Sequence, residues 1–546
     1  MMASSLSLLI LLFNCFLLRT TTACGGFWCT LSQPVNQARE NIIFAFDQEK
    51  KQVTAIIQIM YQGPSENFAW ILPVPGVPEV GVSSNVAFEN LERATDPQYN
   101  LNYSTKGKCK AEPPVAMMDG EDDMEMNMTV DMAGVTVEAQ GSVGPYDYVV
   151  ISLDPTLADP AEVAVDWLET NEYDLFDETA DVIRPYLQDD GMNLIAFRLT
   201  KGNDDGAIRP VILTYDSESP MIPIRPTAVA ANDNMGIRVW VLAHGRAIPD
   251  NYKSLVPNTA LINWFNWRSN YEEVITAAAN EAGGQGFVTE LATGIEGYGE
   301  VIFDQSAWDN FVDNQFNDGF EAIETASWWY RQFDGFREAV LQAVTLPSDV
   351  SADEFGRNPF EYQDRVTVDT GLFINSLRDN VIAPLIATQD LLDAYPYMTR
   401  LYTTMSAEDM TEDPFFLINL DLPDVSNIHT ANITIFCNKN VMEWEAPWEI
   451  ELPNGAGVLT GTGGVGFGPW PYAIDDMPAN DMIMSMSSQG SGEVVKDNTI
   501  EIGRFLEARK NETRISGGQS GHGSPDKRTL SKVVGYSCLL FCWLLS

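Results

Sequence analysis

The sequence predicts an α+β protein: an N-terminal antiparallel, β-sandwich-like region, a mixed α/β middle, a helical segment and a C-terminal return to β-structure. Three observations predict it. Val53, Ala55, Ile57 and Ile59 alternate along one stretch, with turn signals at 47–51 and 63–66 on either side, which is the period of a half-buried antiparallel strand. Capping sequences at Asp159 and Ser269 open helices farther on. Between those helices the phrases NLIAFRLT, IRPVILTY and GIRVWVLA read as buried strands. No internal repeat is visible, and 546 residues suit two or three interlocked subdomains.

In chain order, residues 1–23 read as a secretory signal peptide. An apolar run over 3–18 is followed by the small residues Thr21 and Ala23, which suits cleavage before Cys24. That run of ~16 residues falls short of the ~20 a spanning helix needs. Residues 24–156 form a β-rich region. Pro73, Pro75 and Pro78 end one of its strands, because proline cannot donate to a ladder. After Cys109, MMDGEDDMEMNMTVDM reads as an exposed acidic, methionine-rich insertion before TVEAQ and YDYVVISL resume strand character. Residues 157–300 are mixed. Asp159-Pro160-Ala161-Glu162 opens a helix through Leu168 with proline at its first position. Ser269-Asn270-Tyr271-Glu272 opens another, stopped at Gly283-Gly284. Residues 301–430 form a helical region, with helical patterns over 308–344 and 371–393. Strand character returns over 431–505 in NITIFCN and WEIELPNG, 506–524 reads as a flexible linker, and 525–546 as a hydrophobic C-terminal signal.

That last segment ends in VVGYSCLLFCWLLS, too short to span a bilayer and with no basic stop-transfer residues after it. Small residues precede it at Ser516, Gly517 and Gly518 and again at Ser520, Gly521 and Gly523, followed by a polar spacer. This order is that of a glycolipid (GPI) attachment signal, with the attachment residue open between the two clusters. The expected location is extracellular, at the cell surface, held by a lipid rather than by a spanning helix. The competing reading is a disordered or bacterial sorting tail.

Charge agrees with that destination. There are 77 acidic residues against 32 basic ones, a net charge of −45, while 45% hydrophobic residues are ample for a core. Such a skin repels nucleic acid and anionic lipid and attracts cations, which leaves weak calcium binding open and excludes nucleic acid as a partner. Outside the two processed ends the cysteines are Cys24, Cys29, Cys109 and Cys437, an even set that favours two disulfides. The preferred pairing joins Cys437 to one of the first two and Cys109 to the other. Asn102, Asn127, Asn432 and Asn511 each begin an N-x-Ser/Thr sequon, an acceptor for glycan in a eukaryotic host.

Chemistry is harder to locate. GTGGVG at 461–466 has dinucleotide-loop spacing, but Pro469 and Pro471 block the helix that would bind phosphate, so it reads as a glycine loop and no cofactor is assigned. Met124, Met126 and Met128 alternate, as do Met482, Met484 and Met486; extended segments would show three thioethers on one face, a set that suits Cu(I). Carboxylates at Asp166, Glu169, Glu172, Asp174, Asp177, Glu178 and Asp181 read as a solvated acidic face. The loops 203–206 and 317–319 lack the full calcium-ligand pattern. No G-x-S-x-G or H-E-x-x-H occurs, so no catalytic residue is assigned, and His244 reads as a structural histidine after a strand. Trp264 with Trp267, and Trp328 with Trp329, are candidate sugar platforms.

Several phrases together resemble a known family: CGGFWC with PVNQARENIIFAFD, YQGPSENFAWILPVPGVPEV, LTYDSESPMIPIRPTAVAA, NYEEVITAAANEAGGQGFVTE and TRLYTTMSAEDMTEDPFFLINLDLPDVSN. They are similar to the domain-of-unknown-function family numbered twenty-three thirty, made up mostly of bacterial exported proteins. The resemblance runs over residues 24–497 and implies export and a cysteine-containing mature N-terminus. It brings no activity and no catalytic residue. The methionine-rich insertion and the GPI-like tail depart from it. The expectation is therefore a non-enzymatic surface or adhesion ectodomain for an unknown extracellular ligand, with an extracellular hydrolase using carboxylates, or a methionine-rich copper-binding protein, as the alternatives.

Overall fold

The computed structural model describes residues 27–29, 36–62, 68–109, 135–199 (apart from 155, 172, 174 and 176–178), 206–465 (apart from 230) and 469–518. The signal peptide, Cys24, the first methionine triplet, Asn127, and Ser520, Gly521 and Gly523 lie outside the described residues. The described residues fall into two compact units. Unit 1 takes those up to Asn100, those between Met117 and His429, and Ala473–Asn498; unit 2 takes Leu101–Ala116, Thr430–Tyr472 and those from Thr499 on.

Unit 1 is built in layers. Its 11-stranded sheet runs, in spatial order, β22 (Glu493–Asp497), β21 (Asn480–Ser485), β14 (Lys253–Pro257), β15 (Gly286–Gly294), β16 (Tyr397–Met405), β12 (Ala231–Ala243), β2 (Asn36–Asp47), β3 (Gln52–Gln62), β11 (Val211–Asp216) and β5 (Glu79–Val82), with β10 (Gly206–Ala207) also on β3. Alternation gives each face its own core. On one face Ile42, Phe44, Ile57, Val239, Val241 and Leu401 pack against Trp70, Leu72, Val150, Ile195 and Phe197. Those partners belong to a five-stranded sheet ordered β1 (Phe27–Cys29), β4 (Phe68–Val74), β9 (Asn193–Leu199), β8 (Tyr146–Leu153), β7 (Val135–Val143). The expected sandwich is thus present. Its outer face carries Ile71, Val149, Ile151, Leu194 and Ala196 under α2 (Pro160–Thr170) and α3 (Thr179–Arg184). A two-stranded sheet of β13 (Arg246–Pro249) and β17 (Phe416–Asn419) completes the strands of unit 1.

The opposite face of the large sheet presents Ile43, Ile56, Trp240, Leu242 and Met398 to helices. These are α1 (Asn85–Thr95), α5 (Gln305–Val312), α6 (Gly319–Tyr330), α7 (Phe336–Gln342), α8 (Ala352–Arg357), α9 (Thr370–Leu377) and α10 (Ala383–Asp393). α4 (Tyr271–Glu281) lies against β14, β15 and β16 with Val274, Ile275, Ala278 and Ala279 buried.

Local signals explain several boundaries. Asp159 accepts hydrogen bonds from the amides of Ala161 and Glu162 and so caps α2, as its sequence predicts. Gly283 and Gly284, at φ +87° and +81°, end α4 in a left-handed conformation that costs glycine little. Pro73 lies inside β4, paired with Leu194 at a level that β1 does not reach, and the strand ends one residue past it at Val74.

Three regions differ from expectation. α1 interrupts the N-terminal β region. The segment 397–419, placed in the helical region, holds β16 and β17, the former a central strand. The linker expected from 506 begins as helix, since α11 spans Thr499–Gly518 and includes Ser516 and Gly517.

Unit 2 is a four-stranded sheet, β20 (Val458–Thr462), β19 (Pro447–Glu451), β18 (Ile428–Phe436) and β6 (Gln98–Lys106), with α11 on β20. Ala431, Ile433 and Ile435 alternate into its core with Trp448 and Ile450, while Asn432 points to solvent. Ile502 and Leu506 of α11 are buried. The Tyr472 hydroxyl accepts from the Thr460 amide at 2.6 Å and donates to the Thr460 carbonyl at 3.2 Å.

Candidate functional site

The helix-covered face of the large sheet buries charge as well as carbon. β15 pairs with β16 through Val288 opposite Tyr402, Thr289 opposite Leu401 and then Leu291 opposite Arg400, so Glu290 is the extra residue of a bulge. Bulges re-aim side chains. Glu290 has no exposed side-chain surface, and its Oε2 accepts from Arg400 Nε at 2.6 Å while Oε1 accepts from the Tyr271 hydroxyl at 2.6 Å. The rest of the Arg400 guanidinium is spoken for at the C-terminal end of α1. Nη1 donates to Thr95 Oγ1 and the Glu92 carbonyl, and Nη2 to Asp96 Oδ1 at 2.8 Å.

The network extends outward. Arg268 donates to Asp96 Oδ2 at 2.7 Å, and Arg238 donates to Glu92 Oε1 at 2.6 Å from the next strand of the sheet. Aromatic rings line it: Trp240 under Arg400 at 5.4 Å, Tyr402 beside Arg238 at 5.2 Å, and Tyr99 stacked on His429 at 4.6 Å. For Asp96, burial works upward but the charge and hydrogen bonds of Arg400, with the Arg268 bond, outweigh it and hold the carboxyl below its usual range. Burial, then the Glu290 charge, pushes the Tyr271 hydroxyl far up, and burial pushes His429 down.

Such an arrangement holds elements together. Glu290 and Asp96 each accept from more than one donor, and Tyr271 spends its proton on Glu290. The cluster fastens α1, α4, β12, β15 and β16 at one point. The chain carries a sign of it: Arg238, Glu290 and Arg400 are each the lone charge of a strand phrase, the first in an otherwise apolar one and the other two among threonines. Their pairing could not be read locally.

A second buried carboxyl differs. Glu40 on β2 sits between Ile59 and Ile237, and it accepts from Gln37 Nε2 at 3.2 Å; no ion pair holds it among the described residues. Burial raises it to about 7, with the Gln37 bond opposing.

Of the two tryptophan pairs, Trp264 and Trp267 are not free platforms. Trp264 is buried, edge-on to Tyr99 and donating to the Thr259 carbonyl, and Trp267 lies under the Arg268 guanidinium at 4.7 Å. Trp328 and Trp329 on α6 are exposed to 83% and 65%. Asp304, Asp309, Asp313, Asp318, Glu321 and Glu324 precede them in the chain, and Arg331 follows. His244 is exposed and edge-on to Tyr395 at 6.3 Å.

Other expected residues take structural roles or lie apart. Asp318 caps α6 through the Glu321 amide, and Glu321 accepts from the Asn317 amide, so the loop at 317–319 is a cap. No group of three or more His, Cys, Asp or Glu side chains suited to a metal ion occurs among the described residues. Met482 and Met484 share one half-buried face of β21, and Met486 is buried just beyond the strand. Gly461 lies in β20 where a Cβ would come within 2.3 Å of the Trp448 ring, and Gly463 and Gly464 turn at φ +70°, so the glycine run clears an indole and makes a bend.

The disulfide departs from the preferred pairing. Cys109 joins Cys437, with Cα atoms 4.9 Å apart, so neither pairs with Cys24 or Cys29. The reason is that β6 and β18 are neighbours and their ends bring the two residues together. Asn102, Asn432 and Asn511 are all exposed.

No curated protein and no solved structure matches the chain. A family model matches residues 19–303, just over half of it and ending before β16, so the phrases at 399–427 fall outside the matched span. The chain therefore belongs to the family described as "uncharacterized protein conserved in bacteria" (DUF2330).

Proposed function

We propose that the protein is an exported, lipid-tethered ectodomain that binds an extracellular ligand and performs no catalysis. The observation that carries this reading is the Trp328–Trp329 pair: two large aromatic rings left in water on one helix, while the other described tryptophans are buried or half-buried. Indole faces in water favour neutral or cationic partners, carbohydrate among them, and the acidic chain disfavours anionic ones. The signal-like first residues and the GPI-type tail support export and tethering.

The test is binding by the secreted chain to an array of neutral and cationic saccharides, beside Trp328→Ala/Trp329→Ala. Wild-type binding weakened at least tenfold by the double substitution, with an unchanged circular dichroism spectrum, supports the reading. Binding that survives the substitution, or no binding at all, removes it.

A second reading rests on Met482 and Met484, whose thioethers share a face of β21 and suit Cu(I). It requires Cu(I) binding that is lost in Met482→Leu/Met484→Leu.

A further inference from the structure

Two of the sequons meet in unit 2. Asn102 Nδ2 on β6 donates to Asn432 Oδ1 on β18 at 3.2 Å, and Ser104 Oγ lies 3.0 Å from Thr434 Oγ1. Both contacts keep an offset of 330 residues, so the tripeptides Asn-Tyr-Ser and Asn-Ile-Thr lie side by side in the same direction and in register. Ser104 Oγ also donates to the Ile433 carbonyl at 2.9 Å. A few residues on, the Cys109–Cys437 bond fastens the same two strands.

We propose that these two sequons form one glycan site of which Asn102 alone is filled, because strand pairing and the disulfide close Asn432 before it can react. The inference rests on the secretory reading above. In the transfer, asparagine Nδ2 bonds to the anomeric carbon of a lipid-pyrophosphate oligosaccharide; the carbon–oxygen bond to pyrophosphate breaks and the amide gives up one proton. The acceptor tripeptide must be taken as free chain with the hydroxyl of its third residue unengaged, which a paired strand does not offer even though both asparagines are exposed in the fold. Chain order decides between the two. Asn102 emerges while β18 is still unmade and no pairing can protect it. Asn432 emerges when β6 is waiting, and Cys437 follows it closely in an oxidising compartment.

The test is site occupancy by peptide mass mapping after enzymatic deglycosylation. The full chain is made in a eukaryotic secretory host behind a heterologous leader in place of residues 1–23. Asn102 is expected to be filled, Asn432 at least fivefold less filled, and Cys109→Ser to raise Asn432 severalfold. Equal filling of both in the wild type, an empty Asn102, or no response of Asn432 to Cys109→Ser overturns the proposal; the wild-type ratio decides even where the variant misfolds. The same chain behind its own residues 1–23 reads export separately: failure of secretion there counts against the secretory reading and leaves the occupancy ratio standing.

Discussion

The two units solve the same problem with different means. Unit 1 stacks helices, a large sheet, a smaller sheet and further helices, and it buries enough apolar surface to tolerate Glu290 and Arg400 in its interior. Unit 2 has four strands and a helix, and a covalent bond at Cys109–Cys437 fastens the ends of two neighbouring strands, β6 and β18. A small core buries a smaller share of its surface and gains most from a cross-link. A large one can carry charges provided that each is paired.

The comparison can be broken first in unit 1. Glu290→Ala leaves Arg400 buried without its strongest partner and is expected to cost about 3–5 kcal/mol, read from the midpoint of urea unfolding. A cost near that of an exposed pair, under about 1 kcal/mol, would mean that the cluster is not a fastening point. In unit 2, replacing Cys109 and Cys437 by alanine is expected to cost about 2–4 kcal/mol, read from the same unfolding midpoint.

Glu40 sharpens the contrast between a paired and an unpaired buried charge. Its folded pKa, about 7, lies above its ordinary 4.5, so the fold holds the proton more tightly than the open chain does. Its contribution is therefore complete below pH 4.5 and lost as pH rises through 7. The wild type should lose about 2–3 kcal/mol more than Glu40→Gln between pH 4.5 and 8, by denaturant titration at each pH. Asp481, raised to about 6 by burial and then by Asp497, acts in the same direction in both proteins and cancels. Equal slopes would show that Glu40 is solvated. Smallest is the α2 cap: Asp159→Ala should cost about 1 kcal/mol, plus whatever its bond to Arg184 adds, and Asp159→Asn should recover most of the cap.

What was legible in the chain was local. The α2 start, the Gly283-Gly284 stop and the strands from Val53, Asn193 and Gly236 carry their instructions within a few residues. α4 begins at Tyr271 after Asn270, which gives it no side-chain cap, and Ser269 bonds to Asn263 and Asn266 instead. α1 has no local cap either. Ser84 makes no side-chain cap, and the Asn85 amide and the Ser84 hydroxyl are instead held by Asp334, some 250 residues away. β16 was hidden for a similar reason, since Arg400 and its threonines look polar until Glu290, Asp96 and Thr95 are brought to them. The disulfide depended on β6 lying beside β18, a neighbour relation that no spacing encodes. Of the candidate binding surface, the tryptophan pairs were visible, but only packing separates Trp264 and Trp267, which are covered, from Trp328 and Trp329, which are not.

Export of the chain and its tethering outside the cell by a lipid are the central proposal. The direct measurement is release of the full chain from the surface of a eukaryotic secretory host by phosphatidylinositol-specific phospholipase, beside a control GPI protein. Release of the folded ectodomain into the medium is the expected result. Retention while the control is released, or free secretion without the enzyme, would contradict it.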